Sequence, residues 1–335
     1  MQKLKVLLAC LYADFGQNGN MLPDFSNASW EYENIYKPWK QLEDDGLIEL
    51  ETHWVDTQSN PQGLERLVSL AKNADLVFQV PVTHALGIHL PQARQIIDGG
   101  TPIVSFHPDL HLRYKHPSGD RFVLSRVTEG YDTHTITPAK HTMQQLLDDK
   151  VAAYHMPFGI PDWCDRDLTV EKEFDVTFVG QKHGIREQVV SQLRGAGLRV
   201  HTWGHFWPAH KDHHGRPTGS EMVGIFNRSK VNLNLRWCSR DANHGQIKGR
   251  DFELFGCGAF MAATQHAETN DLHELFKPDY HFVEAHFVNQ LIEHVMYYVD
   301  HDDARQAMAD RAYLERDKHL WTTRLKKFLE DWGTW

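Results

Sequence analysis

A chain of 335 residues is long for one core and suits two domains of about 150 residues each. Its 45 acidic against 35 basic side chains, a net charge of −10, weigh against a protein built to grip phosphate backbones, which needs Lys and Arg to neutralise them. The four cysteines (Cys10, Cys164, Cys238, Cys257) form no CxxC pair, two of them lie inside apolar runs, and a reducing cytoplasm is the expected location.

The N-terminal MQKLKVLLACLYADFG has an apolar stretch too short to span a membrane and no small-residue cleavage site, so Val6 to Tyr12 reads as a buried strand. The loop after it contains Gly16, Asn18, Gly19 and Asn20, and its glycines let a phosphate or an acceptor come close. A helix is expected near Trp30 to Leu42. Its aromatics Trp30, Tyr32, Tyr36 and Trp39 fall at helical spacing and are read as core ahead of a sugar-stacking platform. Strands at Ile48 to Val55, Leu76 to Val80 and Ile103 to Phe106 alternate with helical segments at Leu64 to Ala71 and Leu90 to Ile97. Short apolar strands of this kind suit a parallel sheet covered on both faces.

The stretch YHMPFGIPDWCDRD, with Pro157, Gly159 and Pro161, interrupts the pattern and reads as an interdomain linker. The rhythm restarts near Glu173. Strands are expected at Val176 to Gly180, Arg199 to Trp203, Val231 to Leu235 and Ala259 to Ala262. Helices are expected at Arg186 to Arg194, Met222 to Asn227 and Arg250 to Phe255. His210, Asp212, His213 and His214, bracketed by Pro208, Gly215 and Pro217, read as a mobile surface loop. Phe287, Leu291, Ile292, Val295, Met296 and Val299 form the apolar face of a helix, and two more helices follow, from Asp303 to Glu315 and from Thr322 to Trp332. The fold class is therefore α/β, two Rossmann-like doubly wound domains facing across a cleft, with ligands beyond the carboxyl ends of the strands.

Two segments carry chemistry. In QIKGRDFELFGCGAF, Lys248 and Arg250 sit at a helix start whose free N–H groups favour anions, and Glu253, one turn in, is placed to accept ribose hydroxyls. The competing reading is an amphipathic surface helix with a Lys/Arg/Glu salt network. In DVTFVGQKHGIREQ, Gly180 lets a ligand approach the backbone and Arg186 opens a helix within reach of a diphosphate; taken alone, the segment is read first as a plain βα turn. The absence of GxGxxG lowers the case for a dehydrogenase.

Taken together, FVGQ with Arg186, HTWG ending at Gly204, GIFNRSKVNLNLRW, IKGRDFELFGCGAFMAA, DLHELFKPDYHFVEA and EHVMYYVDHDDARQAMADRA resemble the CgeB-like glycosyltransferases. That family is allied to the retaining family 4 glycosyltransferases, of GT-B fold. The resemblance covers nearly all of the second half. It implies an N-terminal Rossmann-like acceptor-binding domain over 1–157 and a nucleotide-sugar-binding domain over 158–320. It also implies a C-terminal helix over 321–335 that crosses back to the first domain. It implies that Glu253 holds the donor ribose and that Gly180, Arg186, Gly204, Lys248 and Arg250 surround the diphosphate. No metal or other cofactor is required, and the donor is a nucleoside-diphosphate sugar, a UDP-sugar by expectation. One departure stands out: many retaining relatives carry a glutamate eight positions before the ribose glutamate, and here that position is Gly245, between His244 and Gln246.

In the first half the residues speak alone. His107, Asp109 and His111 follow the strand PIVSF at a carboxyl end, where a catalytic or sugar-contacting role suits His107 and Asp109. A metal site with His116, or a plain polar loop, are the other readings. Gly16, Asn18, Gly19, His111, His244 and Gln246 are the candidate sugar or acceptor contacts. The function expected is transfer of a hexose from a nucleotide sugar to a hydroxyl acceptor with retention. The acceptor is expected to be a small molecule, glycan or protein ahead of a nucleic acid. The alternatives are a nucleotide-sugar epimerase of the same fold, a DNA-modifying glycosyltransferase and a non-catalytic scaffold.

Overall fold

The computed structural model describes residues 3–11, 14–15, 21–22, 31–55, 61–81, 88–108, 127, 129–237 and 247–332. Gly16, Asn18, Gly19, Trp30, Asp109, His111, His116, Cys238, His244, Gly245 and Gln246 lie outside the described residues. The chain divides into two compact units, Met1–Pro157 with Arg324–Trp335, and Phe158–Thr323.

The first unit is built on a six-stranded sheet in which Ile48–Val55, Leu4–Leu11, Leu76–Gln79, Ile103–Phe106, His134–Thr137 and Ala153–His155 lie side by side. Every pairing in it is parallel. The central strands Leu76–Gln79 and Ile103–Phe106 are buried along their whole length because both faces of the sheet are covered. On one, Leu7, Val77 and Ile103 meet Leu64, Leu67, Ala93 and Ile96 from the helices Pro61–Ala71 and Leu90–Asp98. On the other, Phe78 lies edge-on to Trp39 and Phe328, at centroid distances of 5.1 and 6.3 Å. Phe328 belongs to the last helix, Trp321–Trp332, which begins in the second unit and from Arg324 onward is part of the first. Tyr154 donates a 2.8 Å hydrogen bond to Asp331 of the same helix.

The aromatic-rich segment is a π-helical turn, Tyr32–Tyr36, followed by an α-helix, Lys37–Asp44. Trp39 is core, whereas Tyr32 and Tyr36 stack on each other at 5.2 Å. The strands His134–Thr137 and Ala153–His155 and the helix Lys140–Asp148 between them carry no strong sequence signal. Thr135, Thr137 and Thr142 are buried without being apolar, and His134 and His155 are half-buried.

The second unit has a six-stranded sheet in the order His213–His214, Val200–Trp203, Phe174–Val179, Ser229–Asn234, Met261–Thr264, Val283–Ala285, again parallel throughout. His213 and His214, expected in a mobile loop, form its edge strand, and His214 stacks on Trp203 at 4.4 Å. Proline and glycine around them end a strand here instead of marking a free loop. The helix Val288–Asp300 buries Leu291 and Val295 against the sheet, with Ile292 and Val299 partly covered. Phe287 and Met296, expected on that face, are exposed, because Phe287 precedes the first turn and Met296 points off the buried stripe. No helix among the described residues is long and apolar enough to cross a membrane.

Candidate functional site

Numbered within the second unit, the sheet order is third, second, first, fourth, fifth, sixth. The chain leaves the first and fourth strands in opposite directions, which opens a crevice beyond their carboxyl ends. Arg186, the first residue of helix Arg186–Gly195, occupies this point. Its Nε donates to the carbonyl of Leu235, just past the fourth strand, at 3.2 Å. Its Nη1 donates to the carbonyl of Gln181, just past the first, at 3.0 Å. The guanidinium lies 5.5 Å from the centroid of the Phe178 ring. Backbone carbonyls thus hold a permanent cation at the mouth of the crevice.

Gly180 and Gly204 sit on adjacent loops packed against each other. A Cβ on Gly204, at φ +129°, would stand 2.3 Å from the Gly180 carbonyl oxygen. The Gly180 amide donates to the Trp203 carbonyl at 2.8 Å, and the Gly204 amide donates to the Gly215 carbonyl at 3.2 Å. Gly204 is therefore required by the meeting of two backbones, whereas a Cβ on Gly180 would stand 2.9 Å from the Phe178 ring.

The helix Gly249–Gly256 follows the fourth strand, and in its first turn the Asp251 amide donates to the Lys248 carbonyl at 3.0 Å. Asp251 fixes this start: one carboxylate oxygen accepts from the Lys248 amide at 2.8 Å. The other accepts from Arg236 Nε and Nη2 at 2.8 and 2.5 Å. Arg236 also bonds Glu284, whose second oxygen meets His273 Nε2 at 2.8 Å. This buried Arg236–Asp251–Glu284–His273 network escapes sequence reasoning. An arginine ending the apolar run VNLNLRW was the visible sign, but its partners lie 15 and 48 residues away.

Glu253 follows one turn in and is only 5% exposed. Arg250 Nη1 lies 2.6 Å from Glu253 Oε2, yet off the line of a hydrogen bond, so the attraction is Coulombic and Oε2 has no hydrogen-bond partner. Burial pushes the Glu253 carboxyl above its usual range; Arg250 opposes this and Asp251 adds to it. The Arg250 guanidinium is turned toward Met222 and lies 4.9 Å from the Phe226 ring centroid. The structure therefore brings Lys248, Arg250 and Glu253 together on one helix start, with Arg186 at the neighbouring strand ends.

In the first unit, His107 follows strand Ile103–Phe106 and is buried, its Nε2 2.9 Å from Asp132 Oδ2. Asp132 was not singled out in the sequence. Gln79 donates to Ser105 at 2.8 Å and to Asp132 Oδ1 at 3.3 Å, so the carboxylate is held from two sides. An ionised Asp132 makes His107 Nε2 the proton-bearing nitrogen and leaves Nδ1 as the lone-pair edge. Nδ1 has no hydrogen-bond partner among the described residues. Of the four residues considered for a metal, His107 alone is described; no group of three or more possible ligands is found among the described residues.

Residues 184–330 match the family model described as Glycosyl transferase-like. No curated protein matches the chain. Among solved structures, HepE from Anabaena, in complex with UDP and glucose, superposes with a TM-score of 0.67 at 10% identity, over 99% of this chain and 100% of that one. An α-glucosyltransferase in complex with UDP-glucose and DNA containing an abasic site gives 0.62 at 10% identity, over 98% and 99%. A putative UDP-N-acetylglucosamine 2-epimerase from Listeria monocytogenes gives 0.58 at 11% identity, over 98% and 95%. These likenesses establish the fold as GT-B.

Proposed function

We propose that this glycosyl transferase-like chain moves a sugar, a hexose, from a UDP-type nucleoside-diphosphate donor to a hydroxyl acceptor, with retention and without a metal ion. The observation that carries the reading is Glu253: a buried carboxylate oxygen with no hydrogen-bond donor, one turn into a helix whose start is anchored at the carboxyl end of a Rossmann-like sheet. A protein tolerates such a group at a cost to stability, and a ribose supplies the two hydroxyl donors it lacks. Lys248 and the first-turn amides of the same helix face the diphosphate, and Arg186 meets it from the opposite strand ends. Arg250, which balances Glu253, adds a further cation toward the diphosphate. Stabilising the leaving diphosphate with cations and amides is the service a divalent metal would otherwise perform. Gly180 and Gly204 shape the floor.

In the first unit, His107 orients the acceptor hydroxyl, and Asp109 is proposed to share that role. Gly16, Asn18, Gly19 and His111 are proposed for acceptor contacts, and His244 and Gln246 for the sugar, where Gly245 leaves no carboxylate. The acidic net charge favours small molecules, glycans or proteins over DNA as acceptor. The test is UDP release from UDP-sugars with and without a panel of acceptors. Acceptor-stimulated release that Glu253→Ala abolishes supports the reading. An altered sugar formed from the donor alone points to an epimerase of the same fold, and no turnover of any nucleotide sugar overturns the assignment.

A further inference from the structure

Phe206 is 76% exposed, and its backbone is left-handed at φ +67°. Among the described residues it is the one apolar side chain at a positive φ, a conformation that bulky residues adopt only under constraint. The constraint is visible. The His205 carbonyl accepts from the Lys182 amide at 3.0 Å. The Trp207 indole donates to the Gly180 carbonyl at 2.8 Å, its ring 5.7 Å from Phe178. The chain is thus pinned to the 180–182 loop on both sides of Phe206, and the residue between the pins is turned out. The same loop offers the Gln181 carbonyl to Arg186.

A glycine or asparagine would make this turn with less strain, and the Phe206 ring covers no core. What the arrangement achieves is the display of a flat apolar face on a backbone fixed at both ends to the loop whose Gln181 carbonyl holds Arg186. We infer that Phe206 is the stacking face for the heterocyclic base of a nucleoside diphosphate, an inference that rests on the donor-site reading above. Stacking of a base on an aromatic ring needs no particular hydrogen-bond pattern, only a π face held still.

The test is calorimetric titration of the full chain with UDP and, separately, with inorganic pyrophosphate. Phe206→Gly removes the ring and suits the positive φ, so its melting temperature is expected to equal or exceed the wild type's. Its UDP affinity is expected to fall about tenfold, with pyrophosphate affinity unchanged and Phe206→Tyr close to the wild type. Equal UDP affinity in wild type and Phe206→Gly overturns the stacking role and leaves the donor site standing. An equal loss for UDP and pyrophosphate also overturns it, since the ring then acts on loop shape. A wild type that binds pyrophosphate but not UDP removes the donor-site reading together with this one.

Discussion

Two nitrogens of Arg236, Nε and Nη2, converge on one oxygen of Asp251 at 2.8 and 2.5 Å, with neither side chain exposed to water. The other Asp251 oxygen caps the helix that carries Glu253. The pair therefore joins the end of the fourth strand to the start of the candidate donor helix, and Glu284 and His273 complete its hydrogen bonding.

Removing one partner of such a pair leaves a buried charge uncompensated, a loss of about 3–5 kcal/mol. Arg236→Ala is accordingly expected to lower the unfolding free energy of the second unit, read from urea titration, by that amount. A change under about 1 kcal/mol would show that Asp251 and Glu284 find other partners or take up protons.

Glu253 predicts a stability profile of the opposite kind. Its carboxyl is raised above the usual 4.5, mainly by burial. A group whose folded pKa exceeds its unfolded value contributes stability while protonated, below about pH 4.5, and that contribution is lost as pH rises through the folded value. Glu253→Gln cannot ionise. Its melting temperature should therefore exceed the wild type's at pH 7–8, and the gap should close as pH falls toward 4. A pH-independent gap would mean that packing, not ionisation, sets the difference.

The sheets were legible in the sequence because burial on both faces writes continuous apolar runs, as in Val176 to Val179 or Ile103 to Phe106. The helix start at Lys248 was legible because charge and glycine punctuation cluster there. What remained hidden were relations between distant positions: Asp132 with His107, and Arg236 with Asp251 and Glu284. Local spacing carries no trace of these. The edge strand His213–His214 was hidden for another reason, since two histidines, one of them stacked on Trp203, have no apolar signature.

Asp132→Asn tests the first-unit pair. An amide in place of the carboxylate no longer fixes His107 Nε2 as the donor, so the tautomer that leaves Nδ1 free loses its advantage. Turnover should fall about 100-fold, within the range for a mispositioned acid–base group, while UDP affinity measured by calorimetry stays unchanged. Full turnover would reduce the pair to a structural role.

Arg186→Ala removes the cation held by the Leu235 and Gln181 carbonyls. With diphosphate charge left uncompensated, kcat/KM for the UDP-sugar should drop about 10- to 1,000-fold. Wild-type activity should survive EDTA. Activity that EDTA abolishes and Mg²⁺ restores would replace the cation-only account of leaving-group stabilisation.

The central claim is that Glu253 receives the ribose of a nucleoside diphosphate, and calorimetric titration of UDP into the wild type and Glu253→Ala tests it most directly. Loss of two charge-assisted hydrogen bonds should weaken binding by about 100-fold or more, because each contributes roughly 1.5 kcal/mol or more. Equal affinity in the two proteins, with both folded, would contradict it.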